Sequence, residues 1–151
     1  MIIFSGKLKF RPEPSSKNIE LGSTTTIHCL AEGKEPPVVI WTRVTLEGVT
    51  SQLGAGISSV NGELTFEAVQ RENAGEYTCT ARNSQGQIEK TIEVAVVVKP
   101  WFKVAPKNTT AIENSPTMLH CLAEGDPKPT IKWDKNGETS AIEENERFTV
   151  S

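Results

Sequence analysis

Short runs in which apolar and polar residues alternate recur along this chain, and turn residues close each run. Such two-residue periodicity predicts β-strands with one buried and one exposed face. Residues 7–10 alternate before Pro12 and Pro14 interrupt, as expected of a first edge strand. Residues 18–21 resume the pattern and Gly22-Ser23 turns it. Residues 24–30 are rich in β-branched side chains, with Ile27 and Cys29 on one face. A loop at 33–37 carries Pro36 and Pro37, and residues 38–43 form the strand that holds Trp41. Weakly patterned sequence with Gly48, Gly54 and Gly56 leads to Leu64, Phe66 and Val69, then to Tyr77 and Cys79. Ile88, Ile92, Val94, Val96 and Val98 form a last strand, with the apolar run 94–98 read as buried. About seven short strands and no helix of useful length predict an all-β fold.

One segment then repeats. His28-Cys29-Leu30-Ala31-Glu32-Gly33 returns as His120-Cys121-Leu122-Ala123-Glu124-Gly125, and Trp41 and Trp133 follow at the same distance from their cysteines. Cysteine, loop and tryptophan in β-rich sequence resemble tandem immunoglobulin-like β-sandwiches, in which two sheets face each other about 10 Å apart. That reading pairs Cys29 with Cys79 in a disulfide across the gap and packs Trp41 against it. Closing a loop of 50 residues restricts the unfolded chain by about 4 kcal/mol in the chain-entropy account. Tyr77 stands two residues before Cys79, the spacing of a tyrosine corner, and Gly75 permits the turn into that strand.

The first module is assigned to residues 7–99 as complete, and residues 100–151 to the N-terminal part of a second, truncated module, with a boundary at Lys99-Pro100. A linker that short predicts restricted swing between modules. In the second module residues 117–122 are expected to form the strand with Cys121, 125–129 a loop, 130–134 the strand with Trp133, and Asn136-Gly137 a hairpin turn before a strand at 146–150. Three cysteines leave Cys121 unpaired within the chain, its partner expected beyond Ser151. Without the remaining strands this half is expected to be unstable alone and prone to edge association. Met1-Ile2-Ile3-Phe4 is too short for the apolar core of a signal peptide, and no run of about 20 apolar residues exists. The chain therefore reads as an internal segment of something longer.

Composition narrows the chemistry. The 151 residues are 36% apolar and 23% charged with a net charge of −3, signs interspersed, which excludes a nucleic-acid footprint. His28 and His120 each sit beside a cysteine, but neighbours on a strand point to opposite faces, so neither pair makes a metal or nucleophile site. Glu143, Glu144 and Glu146 lack the spacing of a calcium loop. Gly54-Ala55-Gly56 lacks the strand–loop–helix setting of a phosphate cradle. No enzyme, cofactor, metal or small-molecule substrate is supported. Asn108-Thr109-Thr110 is an N-glycosylation sequon on an expected exposed edge, whereas Asn114-Ser115-Pro116 is not one.

Cys29, Trp41, Tyr77 and Cys79 together resemble the intermediate-set immunoglobulin domains of animal cell-surface proteins. More narrowly, residues 16–21, 83–88, 96–100 and 125–135 resemble the ectodomains of the family of catalytically inactive receptor tyrosine kinases. That resemblance implies a single-pass receptor with several such domains outside and a pseudokinase inside. It further implies a co-receptor role in Wnt, planar-polarity or semaphorin–plexin guidance signalling. Partners would be protein ligands or co-receptors at the cell surface, a second copy included. At the first position of the family's Asp-x-Gly-x-Tyr-x-Cys pattern this chain has Asn73, which leaves open the ion pair an Asp makes there and suits capping of the turn. The other function class is a structural segment of a giant muscle or matrix protein, and for the intracellular case the redox state of Cys29 and Cys79 discriminates the two.

Overall fold

A computed structural model describes residues 6–137. The chain divides into two compact units, Met1–Val97 and Val98–Ser151. In the first, the alternating segments close into two facing sheets. One holds β3 (Thr25–His28), β7 (Ile57–Val60) and β8 (Glu63–Phe66) in the order β3-β8-β7, all antiparallel. The other holds β5 (Val38–Val44), β6 (Thr50–Ser51), β9 (Gly75–Asn83) and the first part of β10 (Gly86–Val104), in the order β10-β9-β5-β6. β2 (Lys17–Glu20) joins this sheet parallel to β10, with Ile19 opposite Val96. Ahead of it, β1 (Lys9–Phe10) pairs antiparallel with β4 (Ala31–Glu32). Pro12 and Pro14 separate β1 from β2, since neither offers an N–H to a ladder. A single 3₁₀ turn, Arg71–Asn73, precedes β9.

The core lies between these sheets. Ile19, Ile27, Trp41, Leu64, Phe66, Val69, Tyr77, Ile92 and Val94 pack with Cys29 and Cys79. Strand alternation supplies them: in β9, Tyr77, Cys79 and Ala81 are buried while Arg82 and Glu76 are exposed.

The stretch of weak patterning contains two strands that the alternation does not announce, β6 and β7. Asn61-Gly62 turns β7 into β8 with both residues at positive φ, 50° and 82°, the backbone of a tight hairpin turn. An Asn-Gly dipeptide is the sequence signal for it.

In the second unit, β10 runs through Lys99-Pro100 to Val104 and pairs antiparallel with β11 (Leu122–Asp126). The ladder shifts register between Val98 and Trp101, where Pro100 has no N–H to donate. Gly125 allows the approach, because a Cβ there would stand 3.2 Å from Pro100 Cα and from the Val98 carbonyl. The ladder thus falls on 122–126 rather than on 117–122. Residues 130–134, expected to form a strand, have no ladder partner among the described residues and are irregular. Asn136 and Gly137 both take positive φ, and Gly137 N–H donates to Asp134 Oδ1 at 3.2 Å. The expected strand at 146–150 and the carboxylates Glu143, Glu144 and Glu146 lie outside the described residues. Every buried hydrophobic residue of the described chain belongs to the first unit, whereas Trp101, Phe102, Ile112 and Met118 are exposed.

Candidate functional site

The disulfide joins the two sheets. Cys29 directly follows β3 and Cys79 is in β9, with Cα atoms 6.6 Å apart, and both residues are fully buried. Trp41 stands opposite Cys79 in the β5–β9 ladder, so the indole and the sulfur share the inner face. The Trp41 indole N–H donates to the Gly62 carbonyl at 2.9 Å, and that carbonyl also accepts the Cys29 N–H at 2.8 Å. The hairpin turn therefore fixes both the ring and the backbone of the bonded cysteine. Gly62 has no room for a side chain, because a Cβ would collide with the Cys29 carbonyl.

Tyr77 closes the other end of the core. Its hydroxyl donates to the Asn73 carbonyl at 2.6 Å, and its ring meets Phe66 edge-on at 5.3 Å between centroids. Burial pushes the phenol above its ordinary pKa, against a smaller opposing effect of Arg43. The Arg43 guanidinium sits 5.7 Å from the Tyr77 ring centroid and donates to the backbone carbonyls of Glu72 and Ala74. Asn73, between those two carbonyls, is buried, and its Oδ1 accepts the Gln70 N–H at 2.7 Å. The cation thus binds the corner's backbone, and the Asn side chain caps the 3₁₀ turn. Alternation puts Arg43 on the face of Trp41, opposite Tyr77, but nothing in the sequence marks its guanidinium as the donor to the carbonyls of Glu72 and Ala74.

The remaining predicted residues lie apart from this core. His28 is exposed beside buried Cys29, its Nδ1 3.5 Å from Glu63 Oε1. Cys121 is a free, half-buried thiol, and it lines an open apolar groove of about 320 Å³ with Trp101, Phe102 and Trp133 in the second unit. Asn108 and Thr110 are exposed, and Thr109 Oγ1 donates to the Lys107 carbonyl at 3.0 Å.

Outward of the core, β5 presents Val38 and Ile40, 64% and 50% exposed, beside Arg82 and Thr80 of β9. Gln87 and Glu89 of β10 continue those two rows. Two exposed apolar side chains thus stand at the β5 end of two otherwise polar rows.

A disulfide-closed two-sheet sandwich with tryptophan on the sulfur and a tyrosine corner defines an immunoglobulin domain protein. The profile of the immunoglobulin domain family matches residues 9–83 and 99–151, and the chain belongs to that family. Among individual proteins, it is 47% identical over 131 residues to the tyrosine-protein kinase-like protein otk (off-track) of Drosophila mojavensis, covering 86% of this chain and 12% of that one. The solved structure of extracellular domains 3–5 of Drosophila OTK matches with a TM-score of 0.78 and 43% identity, over 93% of this chain and 46% of that one. The chain thus spans about an eighth of the length of the curated relative it matches, and it is homologous to the extracellular immunoglobulin region of a receptor. A titin I-band fragment matches at a TM-score of 0.60 over 95% of this chain and 51% of that one, with 23% identity, which shows the fold alone.

Proposed function

We propose that this chain is a non-catalytic, extracellular recognition segment of a cell-surface co-receptor of the pseudokinase type, acting in Wnt, planar-polarity or semaphorin–plexin guidance signalling. The observation that carries the reading is the likeness to OTK extracellular domains 3–5 at 43% identity over 93% of the chain. The buried disulfide supports it, because such bonds persist in oxidising compartments. Residues 7–99 form one recognition module and 100–151 the beginning of the next. Protein ligands meet the face around Val38 and Ile40, whose apolar exposure a partner would cover.

Two measurements test this. Non-reducing peptide mapping of native material should find Cys29 and Cys79 linked, and finding them as thiols overturns the surface reading. The secreted chain should also bind cells that display a Wnt receptor or a plexin, and Ile40→Asp should abolish that binding without lowering the unfolding temperature. Binding to neither cell type overturns the signalling assignment, and binding unchanged by Ile40→Asp overturns the face.

A further inference from the structure

Asparagine followed by glycine occurs twice in this chain, at Asn61-Gly62 and at Asn136-Gly137. The two turns have nearly the same backbone. Asn61 and Asn136 have φ of 50° and 60°, and the glycines after them 82° and 72°. Their surroundings differ. Gly62 is buried, and its carbonyl accepts the Trp41 indole N–H at 2.9 Å and the Cys29 N–H at 2.8 Å. The β7–β8 ladder holds that turn from both sides, with Val60 opposite Glu63 and Ser59 opposite Leu64. Asn136 and Gly137 are exposed, and a Cβ on Gly137 would meet nothing within 4 Å. The Gly137 N–H donates to Asp134 Oδ1 at 3.2 Å. Asp134 is itself exposed, so rotation of one side chain frees that N–H.

We infer that Asn136 is a site of spontaneous deamidation and isoaspartate formation, and that the fold protects Asn61 from the same reaction. Solvent hydroxide takes the proton of the Gly137 amide nitrogen, which then attacks the Asn136 side-chain carbonyl carbon. That C–N bond forms as the bond from the same carbon to the side-chain amide nitrogen breaks. Ammonia leaves with a proton from water, which restores the hydroxide. A second water opens the five-membered succinimide at either carbonyl, giving aspartate or, with the backbone rerouted through the side-chain carbon, isoaspartate. Glycine favours the attack because it has no Cβ to obstruct the nitrogen. Hydroxide must reach that nitrogen, and the Asn backbone must rotate to bring nitrogen and carbonyl together. Both routes are open at Asn136. At Asn61 the nitrogen belongs to a buried residue, and rotation breaks the two bonds to the Gly62 carbonyl. Either product sets a carboxylate two residues from Asp134 and makes the net charge of −3 one unit more negative. Isoaspartate also lengthens the backbone of the turn that follows Trp133 by one methylene. This covalent ageing of the second unit is separate from the recognition role and does not depend on it. If the dipeptide alone set the rate, the two sites would react equally.

The full 151-residue chain, disulfide intact, is held at neutral pH and body temperature and sampled over weeks. Peptide mass mapping with isoaspartyl-specific methylation reads each site. Asn136 should convert at least about tenfold faster than Asn61, the ratio expected when opening one turn must break two hydrogen bonds. In urea with the disulfide reduced, the two sites should convert at similar rates, and Asn136 should react there about as fast as in the native chain. Mildly alkaline buffer should speed Asn136 in proportion to hydroxide. Asn136→Ser should remove the product while its unfolding curve superposes on the parent's, as expected for an exposed side chain. Equal native rates at the two sites overturn the inference. So does an Asn136 rate in the native chain about tenfold below its rate in urea, or one that does not change with pH.

Discussion

The indole N–H of Trp41 and the carbonyl of Gly62 lie 2.9 Å apart across the sandwich core, which ties the largest side chain of the core to the tip of a hairpin. Because the same carbonyl accepts the Cys29 N–H, the turn governs two elements at once. Gly62→Ala places a Cβ against the Cys29 carbonyl and forces an alanine to a φ of 82°. We expect a loss of roughly 2–4 kcal/mol, read as a lower urea midpoint with an unchanged slope. A loss under about 0.5 kcal/mol, the range of ordinary surface changes, would show that the turn can shift freely.

Tyr77 is the only tyrosine in the chain, so its ionisation is directly visible in the ultraviolet. Its pKa is raised in the folded state by burial. The folded form therefore favours the neutral phenol, and the stability this contributes is complete below the unfolded value of about 10 and lost as pH climbs through the higher folded value. Absorbance should show tyrosinate appearing later in native protein than in urea. Tyr77→Phe keeps the ring against Phe66 but leaves the Asn73 carbonyl without its donor, for a loss of about 1–2 kcal/mol.

Asn73→Asp keeps an oxygen for the Gln70 N–H and puts a charge beside Arg43. The gain of an ion pair is offset by a buried carboxylate, so stability should change by less than about 1 kcal/mol and fall as salt rises. Asn73→Ala, which strands the Gln70 N–H, should cost about 1–2 kcal/mol. Equal thermal midpoints for the Ala and Asp variants would remove the capping role of the side chain.

Asn108 and Thr110 are exposed in an irregular segment, which suits the extended geometry a glycosyltransferase needs. Chain secreted from animal cells should carry glycan at Asn108 and lose it in Asn108→Gln, with no change in unfolding temperature. Peptide mass mapping that finds Asn108 unmodified would end this assignment.

What could be read in the sequence were the parts that rest on local pattern. Alternation marks Ile27, Cys29, Tyr77 and Cys79 as inward-facing because strand side chains alternate strictly, and the spacing of Trp41 and Tyr77 around the cysteines resembles one core. The second unit was less legible. A strand exists only where a neighbouring backbone supplies hydrogen bonds, so β11 fell at Leu122–Asp126, where Gly125 lets it approach β10.

The sequence by itself determined the all-β class, the repeated cysteine–tryptophan element and the residues that fill the first core, since each follows from side-chain type and period. Only the tertiary structure decided what meets across sequence distance. It brought the Gly62 carbonyl to both Trp41 and Cys29, and set Arg43 on the corner carbonyls beside Asn73. Those relationships depend on how strands register and how sheets stack, and neither is encoded in any one segment of the chain.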